Sequence, residues 1–271
     1  MNKGVSAETT ARAQPLQTFN PYRLAAHYIR DRLAWDLKPE SRRSRAKLQA
    51  VRSSHLGEKA VIMCNGPSLN AVNLDDLAGH YCIGLNKINL LFSRSAFRPS
   101  AIVAVNGLVI EQNKDFYNET DIPLFLGHGA VAHVRPRPNV TFLHSISSSS
   151  FFAEDVSISV NESATVTVVA LQVAFHLGFR RVALVGADHS FAQKGVPNST
   201  VVAEGADKNH FDPNYFGHGV AWQLADLAQS EVGYRAARET FAAAGGRVVN
   251  ATEGGKLDIF ERQSLSGFLQ S

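Results

Sequence analysis

Three asparagines close apolar, strand-like runs in the first half of the chain: Asn65 after KAVIMC, Asn86 after YCIGL and Asn106 after AIVAV. An amide side chain both donates and accepts hydrogen bonds, so amides gathered at one edge of a sheet suit sugar hydroxyls and a nucleobase. The first of them opens NGPSL, where Gly66 and Pro67 make a sharp turn and Ser68 stands at the expected start of a helix. Backbone N–H groups exposed at such a junction attract phosphate. A plain strand-to-turn junction explains any one asparagine, but three in equivalent places strain that alternative. Ser163, in NESATV, is expected to start a helix whose N-terminus holds phosphate or carboxylate, with an ordinary N-cap as the alternative. Asp188 and His189 end the run RRVALVGADHS at the same sheet edge, where an aspartate can bind ribose, a metal or an acceptor.

A second group lies in DKNHFDPNYFGHG, residues 207–219, which holds His210, Asp212, Tyr215 and His218. A histidine with an unperturbed pKa of about 6.5 can take a proton from a hydroxyl nucleophile at neutral pH. Metal ligation competes with that use, but His210 and His218 have no third ligand at a familiar spacing. The stretch from 189 to 222 is rich in Gly and Pro and far longer than an ordinary strand-to-helix connection, so it reads as a lid. His189, His210 and Asp212 are then lid or acceptor contacts. The sequence holds no Gly-x-Ser-x-Gly elbow, Walker A loop or Gly-x-Gly-x-x-Gly fingerprint, which argues against hydrolase, P-loop and dinucleotide chemistry.

The elements that must position these residues follow an alternating rhythm from residue 59 onward. Strands are expected at 60–64, 81–85, 101–105, 124–126, 140–143, 181–185 and 247–250, with helices between most pairs. The clearest helices run from Ser163 or Ala164 to Leu177, closed by Gly178, and from about Gln223 to Ala243. This is the pattern of an α/β, Rossmann-like, mostly parallel sheet with helices on both faces. Residues 1–54 form a separate region: a polar tail to about residue 18, then one or two amphipathic helices interrupted near Pro39. Residues 55–271 form the nucleotide-binding domain with its lid.

The chain has 271 residues, 45% of them hydrophobic, enough for a substantial core. Its net charge of +3 comes largely from the amino-terminal third, including SRRSRAK, which is too local for nucleic-acid binding. The basic helices suit a peripheral membrane contact, with a solvated helix face as the alternative. Cys64 and Cys82 sit in apolar runs without metal-ligand spacing and read as core residues of a reduced protein. No apolar run spans a membrane and the first 20 residues lack a signal-peptide centre, so a cytoplasmic location, peripheral at an inner membrane, is expected. The five Asn-x-Ser/Thr matches, at Asn118, Asn139, Asn161, Asn198 and Asn250, are read as chance. An oligomer is compatible with the composition.

Taken together, NGPSL, the strand-end asparagines, the serine-started helix running into V-G-A-D and the late Y-F-G-H resemble bacterial sialyltransferases of glycosyltransferase family 42. They are still more similar to proteins grouped with 6-hydroxymethylpterin diphosphokinase, a group that includes the motility-accessory-factor flagellin glycosyltransferases. NHFDPNYFG and NATEGGKLDIF (residues 250–260) are typical of that group, and the resemblance covers about residues 55–262. The sialyltransferase likeness implies an inverting, metal-independent transfer to a glycan or protein acceptor. In it, Asn65, Gly66, Ser68, Asn86 and Asn106 contact a CMP-sugar donor and Ser163 holds its phosphate or carboxylate. Asp188 lines the site and His218 is the general base. The tyrosine expected after the strand-end Asp is replaced by Ser190, so Tyr215, Lys194, Lys208 or a metal at Asp188 would stabilise the leaving group. The diphosphokinase likeness implies ATP and Mg²⁺ near Asp188 instead. A non-catalytic nucleotide-binding protein of polysaccharide assembly is the third reading.

Overall fold

Runs such as AVIM and VALV are apolar on both faces of a strand, so they can be stable only as parallel strands buried between two layers. The computed structural model, which describes residues 20–147, 151–192 and 195–271, has that architecture. The tail expected before residue 19 lies outside the described residues. Helices α1 (Pro21–Asp36) and α2 (Pro39–Val51) precede β1 (Lys59–Met63), β2 (Tyr81–Leu85) and β3 (Ala101–Ala104). Two short helices, α3 (Gly107–Gln112) and α4 (Lys114–Glu119), lead to β4 (Leu124–Gly127) and β5 (Val140–Leu143). The two-residue strands β6 (Ser145–Ile146) and β7 (Val160–Asn161) pair before α5 (Val166–Leu177) and β8 (Arg181–Val185). A small hairpin, β9 (Thr200–Val202) and β10 (Ala221–Gln223), precedes α6 (Leu227–Ala243), β11 (Arg247–Asn250), β12 (Glu261–Arg262) and α7 (Leu265–Gln270).

Eight strands form one parallel sheet in the order β12-β11-β8-β1-β2-β3-β4-β5. All seven strands expected from the sequence belong to it, with ends within one residue. The chain steps outward from β1 to β5, then returns to place β8 on the other side of β1. That reversal is a topological switch point, and a crevice opens there beyond the carboxyl ends of β1 and β8. Side chains alternate across the sheet: Ala60 and Ile62 pack toward α5 and α6, whereas Val61 and Met63 pack toward the opposite layer.

Helix α5 is buried at every residue except Val166 and crosses β1, β2 and β3, which explains its all-round apolar sequence. Its start differs from expectation. Ser163 and Ala164 both hold left-handed backbone angles (φ 42° and 57°), so the helix begins only after Thr165, whose side chain caps Thr167 N. Gly178, at φ 106°, ends it as expected. α6 likewise starts later than Gln223, because residues 221–223 pair with β9 and Asp226 is the cap. The crossovers after β1 and β2 are 3₁₀ turns, at Pro67–Ala71, Leu74–Leu77 and Ile88–Ser93, in place of the expected α-helices. Asn73 takes the Asp75 N–H with its side chain, a local bond that competes with α-helical continuation.

The amino-terminal helices are built into this domain. α2 lies along β5, where Ser44 Oγ accepts the Phe142 N–H at 2.9 Å and Lys47 Nζ donates to the Arg137 and Val140 carbonyls, both at 2.8 Å. It therefore occupies the sheet edge that another strand would otherwise take. Among the described residues no helix is long and apolar enough to cross a membrane. Because the Phe142 amide is buried, Ser44→Ala leaves it without an acceptor. Urea unfolding of this variant is expected to show a loss of about 1–3 kcal/mol.

Candidate functional site

Backbone pairing between β1 and β8 continues past both strands, with Cys64 N donating to Val185 O (2.8 Å) and Gly66 N to Gly186 O (2.9 Å). The floor of the crevice is thus rigid backbone. A Cβ on Gly66 would lie 1.9 Å from Asp188 Oδ2, so only glycine admits that carboxylate. Asp188 Oδ2 accepts from Ser68 Oγ at 2.6 Å and from Ser68 N at 3.2 Å. Ser68 is therefore a clamp on Asp188 instead of the helix cap expected, and Gly66 is the residue at the N-cap position. Asp188 Oδ1 has no hydrogen bond among the described residues.

The late NATEGGK run supports the same strand end. Ala187 N donates to Thr252 Oγ1 (3.0 Å), Lys256 N donates to Asp188 O (2.8 Å), and Arg262 binds the carbonyls of Thr252 and Gly255. Gly255, at φ 71°, turns against the Asp188 backbone. The sequence marked this motif without giving it a role.

A cavity of about 830 Å³ opens over the crevice, a size suited to a nucleotide or nucleotide sugar. Asn65, Gly66, Asn86 and Asn106 line one side, and Ser163, Asp188 and His189 line another. His210 and Tyr215 reach it from the loop above. Among the described residues four buried polar atoms in this wall have no partner at full hydrogen-bond geometry: Asn65 Oδ1, Ser163 Oγ, and Asn86 Oδ1 and Tyr215 Oη, which face one another. Buried polar groups are nearly always hydrogen-bonded, so these atoms mark where a polar ligand would bond. Asn86 (φ 48°) and Ser163 (φ 42°) also hold strained, left-handed backbone. Asn106 differs, because its Oδ1 caps α3 at Val109 N (3.2 Å) and its Nδ2 donates to Gln223 Oε1 (2.8 Å).

The first turn of α5, Val166 and Thr167 with their cap Thr165, also lines the cavity and carries no acidic residue. Its partial positive charge faces the space beside Ser163 Oγ and suits an anionic group. Burial pushes the thiol of Cys64 up to about 12, so this cavity-lining cysteine is a neutral group and no nucleophile. Burial also drives the Tyr215 phenol far upward, which keeps its hydroxyl a neutral hydrogen-bond donor.

The loop carrying the second group of residues is docked. Phe211 N donates to Asn65 O (2.9 Å), and Asn70 Nδ2 donates to Phe211 O (2.9 Å). The Lys87 ammonium donates to Tyr215 O (2.7 Å), and burial pulls its pKa down to about 8. Phe216 stacks on Trp222 with centroids 5.4 Å apart, giving the segment an apolar core of its own. Within this loop His210 Nδ1 bonds Asp207 Oδ2 at 2.8 Å while its ring lies flat on Tyr215, 3.9 Å away. Nε2 of His210 has no partner among the described residues. Burial would raise the Asp207 carboxyl, but the bond and charge of His210 and the amides of Asn209 and Phe216 outweigh it and hold it below its ordinary value. Asp207 escaped the sequence reading, although its place three residues before His210 was a usable signal.

Other expected residues lie elsewhere. His218 is exposed and outside the cavity wall. Asp212 closes a turn through Asn214 N at 2.8 Å and does not reach the cavity. His189 lines the cavity with Nε2 3.3 Å from Glu231 Oε1. Lys208 is exposed, and Lys194 lies outside the described residues. The amino-terminal extension, which the sequence reading kept apart, supplies Leu24 and Tyr28 to the wall, with Tyr28 Oη donating to Ser147 O at 2.8 Å.

One group of possible metal ligands stands away from this cavity: Asp31, His128 and His144, whose ligand atoms lie within 4.8 Å of one another. Ser145 N donates to His128 Nδ1 (3.2 Å), which leaves the ring proton of neutral His128 on Nε2, facing Asp31. Burial, then the neighbouring His128 and Arg32, lower the His144 pKa. The cluster as built is a hydrogen-bonded clasp between α1 and the sheet edge.

A family model described as MptE-like, 6-hydroxymethylpterin diphosphokinase MptE-like, matches residues 39–194. The match starts at the first residue of α2, earlier than residue 55, and takes in NGPSL, Ser163 and Asp188. It stops before the loop at 207–219 and the late NATEGGK run. The finer likeness to family 42 sialyltransferases and motility-accessory-factor proteins is no part of what it shows. No curated protein matches the chain. Because the match spans more than half of this Rossmann-like chain, the protein belongs to the 6-hydroxymethylpterin diphosphokinase MptE-like family.

Proposed function

We propose that the protein transfers a group from a nucleotide donor, held in the β1–β8 crevice, to a hydroxyl acceptor, and that the group is a sugar. A CMP-activated nonulosonic acid moving with inversion to a glycan or protein acceptor is the specific form of this reading. The observation that carries it is the set of four polar atoms around the cavity together with a histidine on the same wall whose ring is fixed by a buried carboxylate. Asn65 and Asn86 would accept from hydroxyl or amino groups of the donor. Ser163 and the α5 N-terminus would take its phosphate or carboxylate. Tyr215, kept protonated, would donate to the departing phosphate oxygen. Asp188, oriented by Ser68, has Oδ1 left to accept a sugar hydroxyl.

In this reading the general base passes from His218 to His210. The acceptor hydroxyl gives its proton to His210 Nε2 as its oxygen attacks the anomeric carbon, and the bond to the nucleotide phosphate breaks. Asp207 holds the ring in the tautomer with Nδ1–H and stabilises the imidazolium that forms. The family description favours a second reading on the same scaffold, in which the hydroxyl attacks the β-phosphorus of ATP and AMP leaves. There Asp188 would hold Mg²⁺.

His210→Ala is expected to lower turnover by about 10²- to 10⁴-fold, whereas His218→Ala stays close to the parent. Steady-state rates with a matched donor and acceptor check this, and the reverse order would return the base to His218. A melting-temperature panel of CMP, CDP, UDP, GDP and ATP, each with and without Mg²⁺, separates the two reactions. A cytidine nucleotide is expected to stabilise the fold without metal; stabilisation by ATP and Mg²⁺ alone, with AMP released, would establish the diphosphokinase reading.

A further inference from the structure

Surface helices normally turn their apolar side chains toward the domain, yet α1 also carries an apolar stripe on its outer face. Tyr28, Asp31 and Trp35, spaced three and four residues apart, make its inward contacts. Trp35 is buried, Asp31 approaches His144 at 3.2 Å and His128 at 3.5 Å, and Tyr28 bonds Ser147. On the opposite side Tyr22, Ile29 and Leu33, with Leu37 just past the helix end, follow one another at helical spacing. They are 84%, 61%, 59% and 83% exposed.

The exposed charges on α1, α2 and the turn between them are nearly all of one sign. Arg23, Arg30, Lys38, Arg42 and Arg43 are exposed and have no acidic partner among the described residues. Of the acids on α1 and α2, Asp31 is held by the two histidines and Asp36 by Arg32 and Arg45, which leaves Glu40 alone. A second copy docked on the stripe would bring two such basic sets together without compensation. An anionic lipid surface would cover the apolar side chains and neutralise the cations at once.

We infer that α1 is an interfacial helix that docks the protein on an anionic membrane, with the Tyr22–Ile29–Leu33–Leu37 stripe inserted and the basic flank against the headgroups. The same helix walls the cavity through Leu24 and Tyr28, so docking sets one edge of the cavity at the lipid interface. The inference stands apart from the choice of transferred group, and its test uses no turnover.

Co-sedimentation of the full chain with phosphatidylglycerol–phosphatidylcholine vesicles is expected to show binding. With phosphatidylcholine alone, or in about 0.5 M salt, that binding should be at least about tenfold weaker. Replacing two exposed stripe residues, Ile29→Glu with Leu33→Glu, should weaken it about 100-fold or more while the melting temperature stays unchanged. Failure of the parent protein to bind anionic vesicles, or equal binding by the double variant, overturns the inference. So does a parent protein that is dimeric in solution, ignores vesicles and becomes monomeric in the double variant, which assigns the stripe to a second copy.

Discussion

The carboxylate of Asp188 passes over the bare α-carbon of Gly66 and is gripped by Ser68, joining the ends of β1 and β8 across the point where the strand order reverses. A side chain as small as a methyl group at residue 66 would occupy the same space as the carboxylate. The left-handed Gly186 turn brings the two backbones close enough for the contact, and Thr252 and Lys256 hold the β8 end from behind. Asn65, fixed by this junction, then offers its carbonyl to Phe211 N, from which the loop over the cavity hangs. The positions of the floor, the wall and the covering loop thus follow from one tight approach of two strand ends.

The two halves of the site are built on different principles. The half proposed to face a donor consists of strand ends and a helix N-terminus, elements whose backbone cannot move without breaking the sheet. The half carrying His210 is irregular chain, yet it is tied down at Asn65, Asn70 and Lys87 and filled by stacked aromatic rings. Irregular backbone held this firmly gives a histidine a fixed direction, as the proposed base role requires, while its sequence is released from the constraints of a strand. Buried polar atoms at the interface of the halves give a polar ligand directional bonding positions there.

Much of the scaffold was legible in the sequence because burial on both faces leaves a plain signature. KAVIM, YCIGL and RVALV admit little except central parallel strands, and their end residues had to arrive at one edge. The misreadings arose where a backbone angle or a partner distant in sequence decides the outcome. Nothing in Ser163-Ala164 announces two consecutive left-handed residues, so the start of α5 was placed early. Ser68 has the composition of a helix cap, and only Asp188, far along the chain, reveals its other use. His210 and His218 share one Gly-rich loop and cannot be ranked by type. The proposed preference for His210 rests on Asp207 and on the ring of Tyr215, which are close in sequence but become partners only through the turn geometry.

The position of α2 against β5 bears on what the strands would expose without it. A chain that started at β1 would keep every strand of the sheet, yet would present β5 with its outer amides and carbonyls bare, a template on which strands of other molecules can add. Helix α2, with Ser44 and Lys47 on that edge, is therefore a guard against aggregation as much as a packing element. The family match opens at Pro39, the first residue of that helix, so it takes in the cover of the β5 edge together with the strands from β1 to β8.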